Sequence, residues 1–241
     1  MKRIIDHASR FFRAAKLQLL WNGTTRFRLP RRFRFNSKLY CVDGPDEKTL
    51  AWVFRDVILD DEYGLNCLPR RPATILDIGG NIGLFSLWAG ANFPEASIHV
   101  YEPNPALFNS LSLNVSQVGA TVFPEGVSGQ EGFGVLVEAG ESMTNQCSVS
   151  SCGNISVSTL RTAIQRMGGR VDLLKIDCEG AEWDMLDDLE PFKHVRMLRM
   201  EYHLEQSNRS VGRLIDRLES VGFQLVRLQP NQGFGIAWFD R

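Results

Sequence analysis

The sequence predicts an α/β fold: a doubly wound, mostly parallel seven-stranded sheet with an antiparallel C-terminal hairpin, preceded by a helical and extended N-terminal extension. Three features predict it. Residues 74–78 of TILDIGGNIG form a short β-branched strand that runs into a turn with glycines at 79, 80 and 83. About one βα unit later, IHVYEPN supplies a second strand ending in Glu102. Strand, glycine turn, helix and acid-tipped strand make the first half of a nucleotide-type cofactor site. Near the C-terminus, the apolar stretches 223–228 and 234–239 lie only five residues apart and pair antiparallel.

The remaining elements follow in order. Residues 1–20 read as an amphipathic helix, with Ile4, Ala8, Phe11, Ala15 and Leu19 at helical spacing and Arg3, Arg10, Arg13 and Lys16 on other faces. Residues 26–43 are extended and end at a Gly44-Pro45 turn. Asp46 caps a helix whose apolar set is Leu50, Val53, Phe54, Val57 and Ile58. Arg70, Arg71 and Pro72 break the chain before strand 74–78, and a helix starts from about 82. Strand 97–102 feeds a helix capped by Asn104 and started by Pro105. A strand near 120–124, a hairpin-like region through 157 and a helix opened by Ser158 (Leu160, Ala163, Ile164, Met167) come next. Strand 171–177, a helix from about 181 to Pro191, strand 195–201 and a helix carrying Val211, Leu214, Ile215 and Leu218 complete the alternation. The chain thus divides into an extension, 1–45, and one doubly wound domain, 46–241.

Composition narrows the function. With 44% hydrophobic and 23% charged residues among 241, the chain can bury a full core. A net charge of −1 gives no global sign of a nucleic-acid partner. The charge is uneven, however. Residues 1–34 hold ten Lys/Arg against Asp6, leaving 17 Lys/Arg and 27 acids, a balance of −10, for the rest. Five cysteines (41, 67, 147, 152, 178) without C-x-x-C spacing or nearby histidines argue against zinc or a disulfide framework, and for a reducing, cytoplasmic compartment. Cys147 and Cys152 are close enough for a loop disulfide, but two incidental thiols are the expectation. Arg10, Arg13 and Lys16 interrupt any signal-peptide core, and no run approaches the ~18 apolar residues of a membrane span.

The turn itself discriminates between cofactors. A dinucleotide fingerprint needs G-x-G-x-x-G, whereas here the order is Asp77-x-Gly79-Gly80-Asn81-x-Gly83. An acid in the turn would repel a pyrophosphate and suits S-adenosylmethionine, with its sulfonium and ammonium. Glycines let the backbone approach such a ligand closely. Glu102 would accept hydrogen bonds from both ribose hydroxyls; the plainer alternative is a surface acid flanking a helix. Ligands in such folds sit beyond the carboxyl ends of the strands. Pro103, the Glu125-Gly126-Val127 stretch, Asp177 with Glu179, and Glu201 with His203 therefore join the candidates. In DLLKIDCEGAE (172–182), alternation puts Lys175, Asp177 and Glu179 on one face, and Gly180 allows a sharp exit. Three ionisable groups there are costly unless they serve a site; a stabilising ion pair of Lys175 at a sheet edge is the alternative.

The segments LDIGGNIGLFS, VYEPNP, VSTL and LLKIDCEGAEWDML together resemble the FkbM-type family of S-adenosylmethionine-dependent methyltransferases over roughly residues 50–240. K-I-D-x-E-G-A-E is the most specific part; the glycine turn alone marks only the wider class I methyltransferase, Rossmann-like fold. The resemblance implies O-methylation, often of small molecules or sugars in secondary-metabolite and cell-surface glycan pathways. It assigns Asp77, Gly79, Asn81 and Gly83 to the cofactor loop, Glu102 to the ribose and Asp177 to the cofactor side. Two positions depart from the family pattern: Gly80 replaces an alanine, and Arg161 stands where an acid is usual.

An alcohol acceptor must lose its proton, so a base helps. His203 is the first candidate, oriented by Glu201, with Asp177 and Glu179 as rivals; Lys175 completes the catalytic set. His99 lies inside a strand, His194 precedes one and His7 belongs to the extension, so none of them should face the substrate. Asp177, Glu179, Glu201 and His203 are ligand types for a hard cation, but their spacing demands none and no metal is expected. An NAD(P)-dependent oxidoreductase shares the strand, turn and Glu102, and a non-catalytic module retaining the cofactor fold is the third reading. The acceptor pocket is expected from the extension and from segments such as 138–155. The basic helix admits two uses, packing as a lid or dimer element, or lying on an anionic membrane; packing is the expectation.

Overall fold

A computed structural model describes residues 2–20, 28–45, 48–137, 146–150, 152–206 and 209–241. Helix α1 (Lys2–Lys16) leads into a hairpin, β1 (Arg32–Phe35) and β2 (Lys38–Cys41), whose turn residues Asn36 and Ser37 both have positive φ. That backbone matches the right-handed twist of the paired strands. Helix α2 (Lys48–Phe54) widens into a π-helical turn, Arg55–Leu59. The alternating part follows: β3 (Thr74–Ile78), α3 (Leu84–Asn92), β4 (Ser97–Tyr101), α4 (Phe108–Ser116) and β5 (Thr121–Phe123). Next come β6 (Glu125–Ser128), β7 (Gly132–Val137), β8 (Gln146–Val149) and β9 (Ile155–Thr159). The chain closes with α5 (Leu160–Arg166), β10 (Val171–Ile176), α6 (Glu182–Met185), β11 (Val195–His203), α7 (Val211–Ser220), β12 (Gln224–Pro230) and β13 (Phe234–Asp240).

The predicted seven-stranded sheet forms in the order β12-β13-β11-β10-β3-β4-β5. The five strands from β11 to β5 are parallel, and β13 inserts antiparallel between β11 and β12. Alternation along each strand builds two cores. Ile75, Ile98, Leu173 and Met197 pack with the extension and α2–α4, while Leu76, Leu174, Leu198 and Phe239 pack with the layer of α5 and α7. Helices on both faces follow from strands apolar on both faces. The chain leaves β3 toward β4 on one side, and β10 lies on the other, so the switch point falls between β3 and β10. The hairpin-like region is a four-stranded sheet, β6-β9-β7-β8, beside this rim.

Several boundaries differ from the sequence expectation. Thr159, not Ser158, caps α5: its Oγ1 accepts from the Thr162 N–H at 3.2 Å, while Ser158 stays in β9 and donates to Glu125. The helix expected to reach Pro191 stops after Met185, and the Asp188 carboxylate accepts the Glu190 N–H at 3.1 Å. Side-chain competition of this kind is why Asp favours turns. Asn104 does cap its helix through Ala106 N–H. Arg161, in place of the usual acid, pairs with Asp188 at 2.8 Å. Asp46 and the side chain of Cys147 lie outside the described residues.

The extension forms its helix, with part of the expected stripe turned outward. Ala14 and Leu17 are buried against the domain, with Leu29, Phe33, Tyr40 and Val42 in the same core as Leu50, Phe54 and Trp88. Arg10 makes a two-pronged contact to Asp60 at 2.6 and 2.5 Å, and Arg13 donates to the Leu59 carbonyl at 2.8 Å. Ala8, Phe11 and Ala15, three of the five residues of the apolar stripe in the sequence reading, face outward, while Leu19 packs partly against the core. The guanidinium contacts set the rotation of the helix.

Candidate active site

The turn after β3 is built around close backbone approach. Gly79 has φ +78°, and a Cβ there would lie 1.6 Å from the Asp177 carbonyl oxygen. The N–H groups of Gly79 and Gly80 both donate to the Tyr101 carbonyl, at 3.0 and 2.9 Å. Asn81 follows at φ +50° and donates its N–H to Glu102 Oε2 at 2.7 Å. Glu102 Oε1 accepts from Asn104 N–H at 2.8 Å. Glu102 thereby ties the turn to the end of β4 and keeps further lone pairs toward the cleft. Burial pushes its pKa up to about 7, against the pull of the two N–H bonds.

Lys175 is the hub beneath this turn. It is only 3% exposed and lies in register with Asp77 of β3. Its Nζ donates to the Gly79 carbonyl at 2.6 Å and stands 3.2 Å from Asp77 Oδ1 and 3.5 Å from Asp177 Oδ2. Desolvation opposes the charge, but Asp77 and Asp177 hold the ammonium well above its ordinary pKa. The ion-pair reading of Lys175 is thus realised, although in the centre of the sheet and not at an edge. Asp77 is fully buried and accepts from Ser86 Oγ at 2.7 Å. It braces Lys175 from below and is not part of the cleft wall.

Asp177 faces the cleft. Burial would raise its pKa, yet Lys175, a hydrogen bond from Glu201 and the Tyr63 hydroxyl, which donates to Oδ2 at 3.0 Å, keep it ionised. Glu201 takes the opposite state: burial and then the adjacent Asp177 charge push its pKa far above the carboxylate range, so it donates the proton between them.

His203 is not the base that the sequence suggested. Its Nε2 lies 3.3 Å from Glu179 and its Nδ1 3.2 Å from Glu182, and Glu182 also accepts its backbone N–H at 2.8 Å. Burial alone would lower its pKa, but the two carboxylates carry it up to about 11. The ring is an imidazolium at neutral pH with no free nitrogen to accept a proton. Glu201, expected to orient it, pairs with Asp177 instead.

A cleft of about 920 Å³, counting space open to solvent, sits at the β3–β10 switch point. Of the sequence-predicted residues, Gly79, Gly80, Asn81, Glu102, Pro103, Val127, Lys175, Asp177, Glu179 and Glu201 line it. Asp77, Gly83, Gly126 and His203 stand behind the wall. Sequence reasoning missed Tyr63, Val53 and Val57 on the opposite side. Tyr63 reaches the site because Trp238 Nε1 donates to the Glu62 carbonyl at 2.9 Å and because Gly64, at φ +66°, packs on the Trp238 ring.

Comparison with known proteins agrees with this geometry. Residues 77–225 match the family described as the methyltransferase FkbM domain. The chain belongs to this family. Among its relatives is methyltransferase sdnD of Sordaria araneosa, 28% identical over 73% of this chain and 83% of that protein. Hexuronic acid methyltransferase AglP of Haloferax volcanii is 24% identical over 66% of this chain and 68% of its own length. Among solved structures, the fibrillarin pre-rRNA processing protein of Methanococcus jannaschii superposes with a TM-score of 0.52 at 11% identity, covering 92% of this chain and 85% of that one; at that identity the likeness concerns the fold. This FkbM-family chain is a class I methyltransferase with S-adenosylmethionine as its cofactor, which sets aside the oxidoreductase reading. The donor set fits such a cofactor. Glu102 keeps lone pairs for vicinal hydroxyls, Asp177 is an ionised acid for a cation, and Val127 and Val157 give an apolar wall.

Proposed function

We propose that this FkbM-family chain methylates a hydroxyl of a sugar or other small molecule. The observation that carries the reading is the half-buried, ionised Asp177 on the cleft wall, beside Glu179 and under the Tyr63 hydroxyl. The hexuronic acid methyltransferase among the relatives supports a hydroxyl-rich acceptor. When bound, the cofactor supplies an electrophilic methyl group. The chain's own residues hold it and align the acceptor, since much of the rate in such a displacement comes from alignment. Glu102 accepts from the ribose hydroxyls, and Asp177 meets the cationic methionine end. A carboxylate oxygen of Asp177 or Glu179 hydrogen-bonds the acceptor O–H and takes its proton. His203 is a positioning residue that fixes Glu179.

Transfer from methyl-labelled S-adenosylmethionine to a panel of hydroxylated sugars and polyketides tests this, with a methyl ether expected as product. Methylation confined to nitrogen or to carboxylates would refute it. Asp177→Asn should cut turnover about 10²–10⁴-fold, the range for a proton-transfer group. Its melting temperature should hold, because Lys175 keeps Asp77 and Tyr63 can donate to the amide oxygen. Normal turnover in that variant would remove Asp177 from the reaction.

Glu102 gives a second handle. Ribose hydroxyls donate best to the ionised carboxylate, so cofactor binding should pull its pKa down from about 7 and release a proton. Affinity should then rise with pH through the neutral range, and the calorimetric heat should depend on the buffer's ionisation enthalpy. Glu102→Gln should weaken binding by about 1.5–3 kcal/mol, roughly 10–100-fold, and abolish the pH dependence. An unchanged dissociation constant would make Glu102 a structural tie only.

A further inference from the structure

The outward face of α1 has no partner among the described residues. At about 100° per residue, Ala8, Phe11, Phe12 and Ala15 share one arc, opposite the docked residues Arg10, Arg13, Ala14 and Leu17. Phe11 is 54% exposed and Phe12 67%, and the two rings meet edge to face at 5.9 Å. Leu20, just beyond the helix, is fully exposed. The face is therefore large, apolar and already presented, and the contacts that dock the helix do not use it.

Its surroundings identify the partner. The helix end adjoins β1, whose Arg34 N–H donates to the Leu17 carbonyl at 3.0 Å. Lys16, Arg28, Arg32, Arg34 and Lys38 are all exposed, and none of the five has a carboxylate partner among the described residues. Leu39, 46% exposed, sits directly across from Arg34 in the hairpin. Aromatic side chains flanked by exposed cations whose contacts are carbonyls and a ring, not carboxylates, are the pattern of an interfacial helix on anionic lipid. A second copy fits poorly, because a two-fold contact sets the same patch against itself and would bring these like charges together.

We propose that the outward face of α1, with the cationic hairpin β1–β2, docks this enzyme on an anionic membrane surface. Phe11 and Phe12 enter the headgroup boundary, while Lys16, Arg32 and Arg34 meet the lipid charge. Arg10 and Arg13 stay on the domain side and hold the catalytic body to the docked helix.

Co-sedimentation of the full chain with phosphatidylcholine vesicles containing phosphatidylglycerol, against pure phosphatidylcholine, tests the proposal. The chain should pellet with the anionic vesicles alone and be released by salt, which screens exposed charges. Phe11→Ser with Phe12→Ser should abolish pelleting. Arg32→Glu with Arg34→Glu should reduce it at least about tenfold. All four side chains are solvent-facing or lie on the exposed hairpin, so cofactor binding should survive in both variants and report intact folding. No pelleting of the natural chain, or pelleting that both variants retain, would overturn the proposal. So would a dimer in vesicle-free buffer, seen by light scattering, that Phe11→Ser with Phe12→Ser converts to monomer.

Discussion

Lys175→Met is expected to destabilise the enzyme by about 3–5 kcal/mol, the cost of removing one partner from a buried ion pair. Methionine fills nearly the same volume, so the loss isolates the charge. Without the ammonium, Asp77 is fully buried with only Ser86 as a donor, and Asp177 loses the contact that offsets its burial. For a chain of this size, each kcal/mol shifts the melting temperature by about 2–4 °C, so a fall of roughly 6–20 °C should follow. The effect should depend on pH. Burial already raises Asp77 in the natural protein, with Lys175 opposing it; without Lys175 its folded pKa rises further above the unfolded value. A raised folded pKa means that the folded state holds its proton longer, so stability falls as pH rises through that window. The variant's deficit should therefore shrink toward acid pH. Thermal melts of both proteins across pH check this. A natural-like melting temperature at neutral pH would show that the Lys175 hub contributes nothing to stability.

The parts of this enzyme that were legible in its sequence are those imposed by the backbone. The strand–glycine–helix unit, Glu102 and the antiparallel end of the sheet are local patterns, and spacing alone fixes them. Asp177 and Glu179 were legible as cleft-lining residues because polar groups at the end of an apolar strand need a reason. His203 misled because its partners are set by tertiary geometry. Glu179 adopts φ +53°, and Glu182 reaches back under β11, which turns a plausible base into an enclosed imidazolium. Tyr63 carried no signal, since its place depends on Trp238, more than 170 residues away. Amphipathicity in α1 revealed an apolar face but not its direction. Two guanidinium contacts to Asp60 and Leu59 decide that, and such long-range pairs are not written in helical spacing.

Gly79→Ala should abolish cofactor binding and destabilise the fold far more than a positive φ alone explains. The Cβ would lie 1.6 Å from the Asp177 carbonyl oxygen and 2.7 Å from its carbon. Those are backbone atoms of a central strand's extension, so no side-chain rotation relieves the clash. The turn must move as a unit. It would take along the Gly79 carbonyl that Lys175 donates to and the Asn81 N–H that Glu102 accepts. Gly168→Ala supplies the control. Gly168 also has positive φ, +87°, but a Cβ there meets nothing within 4 Å. Its cost should be the left-handed backbone penalty alone, about 1–2 kcal/mol, with cofactor affinity unchanged. Gly79→Ala should exceed that by several kcal/mol, in the range reached only by disruption of a tightly packed or strained site. Denaturant unfolding and calorimetric titration with S-adenosylmethionine on both variants separate the two costs. Equal destabilisation, or retained cofactor affinity in Gly79→Ala, would mean that the turn does not depend on its close approach to Asp177.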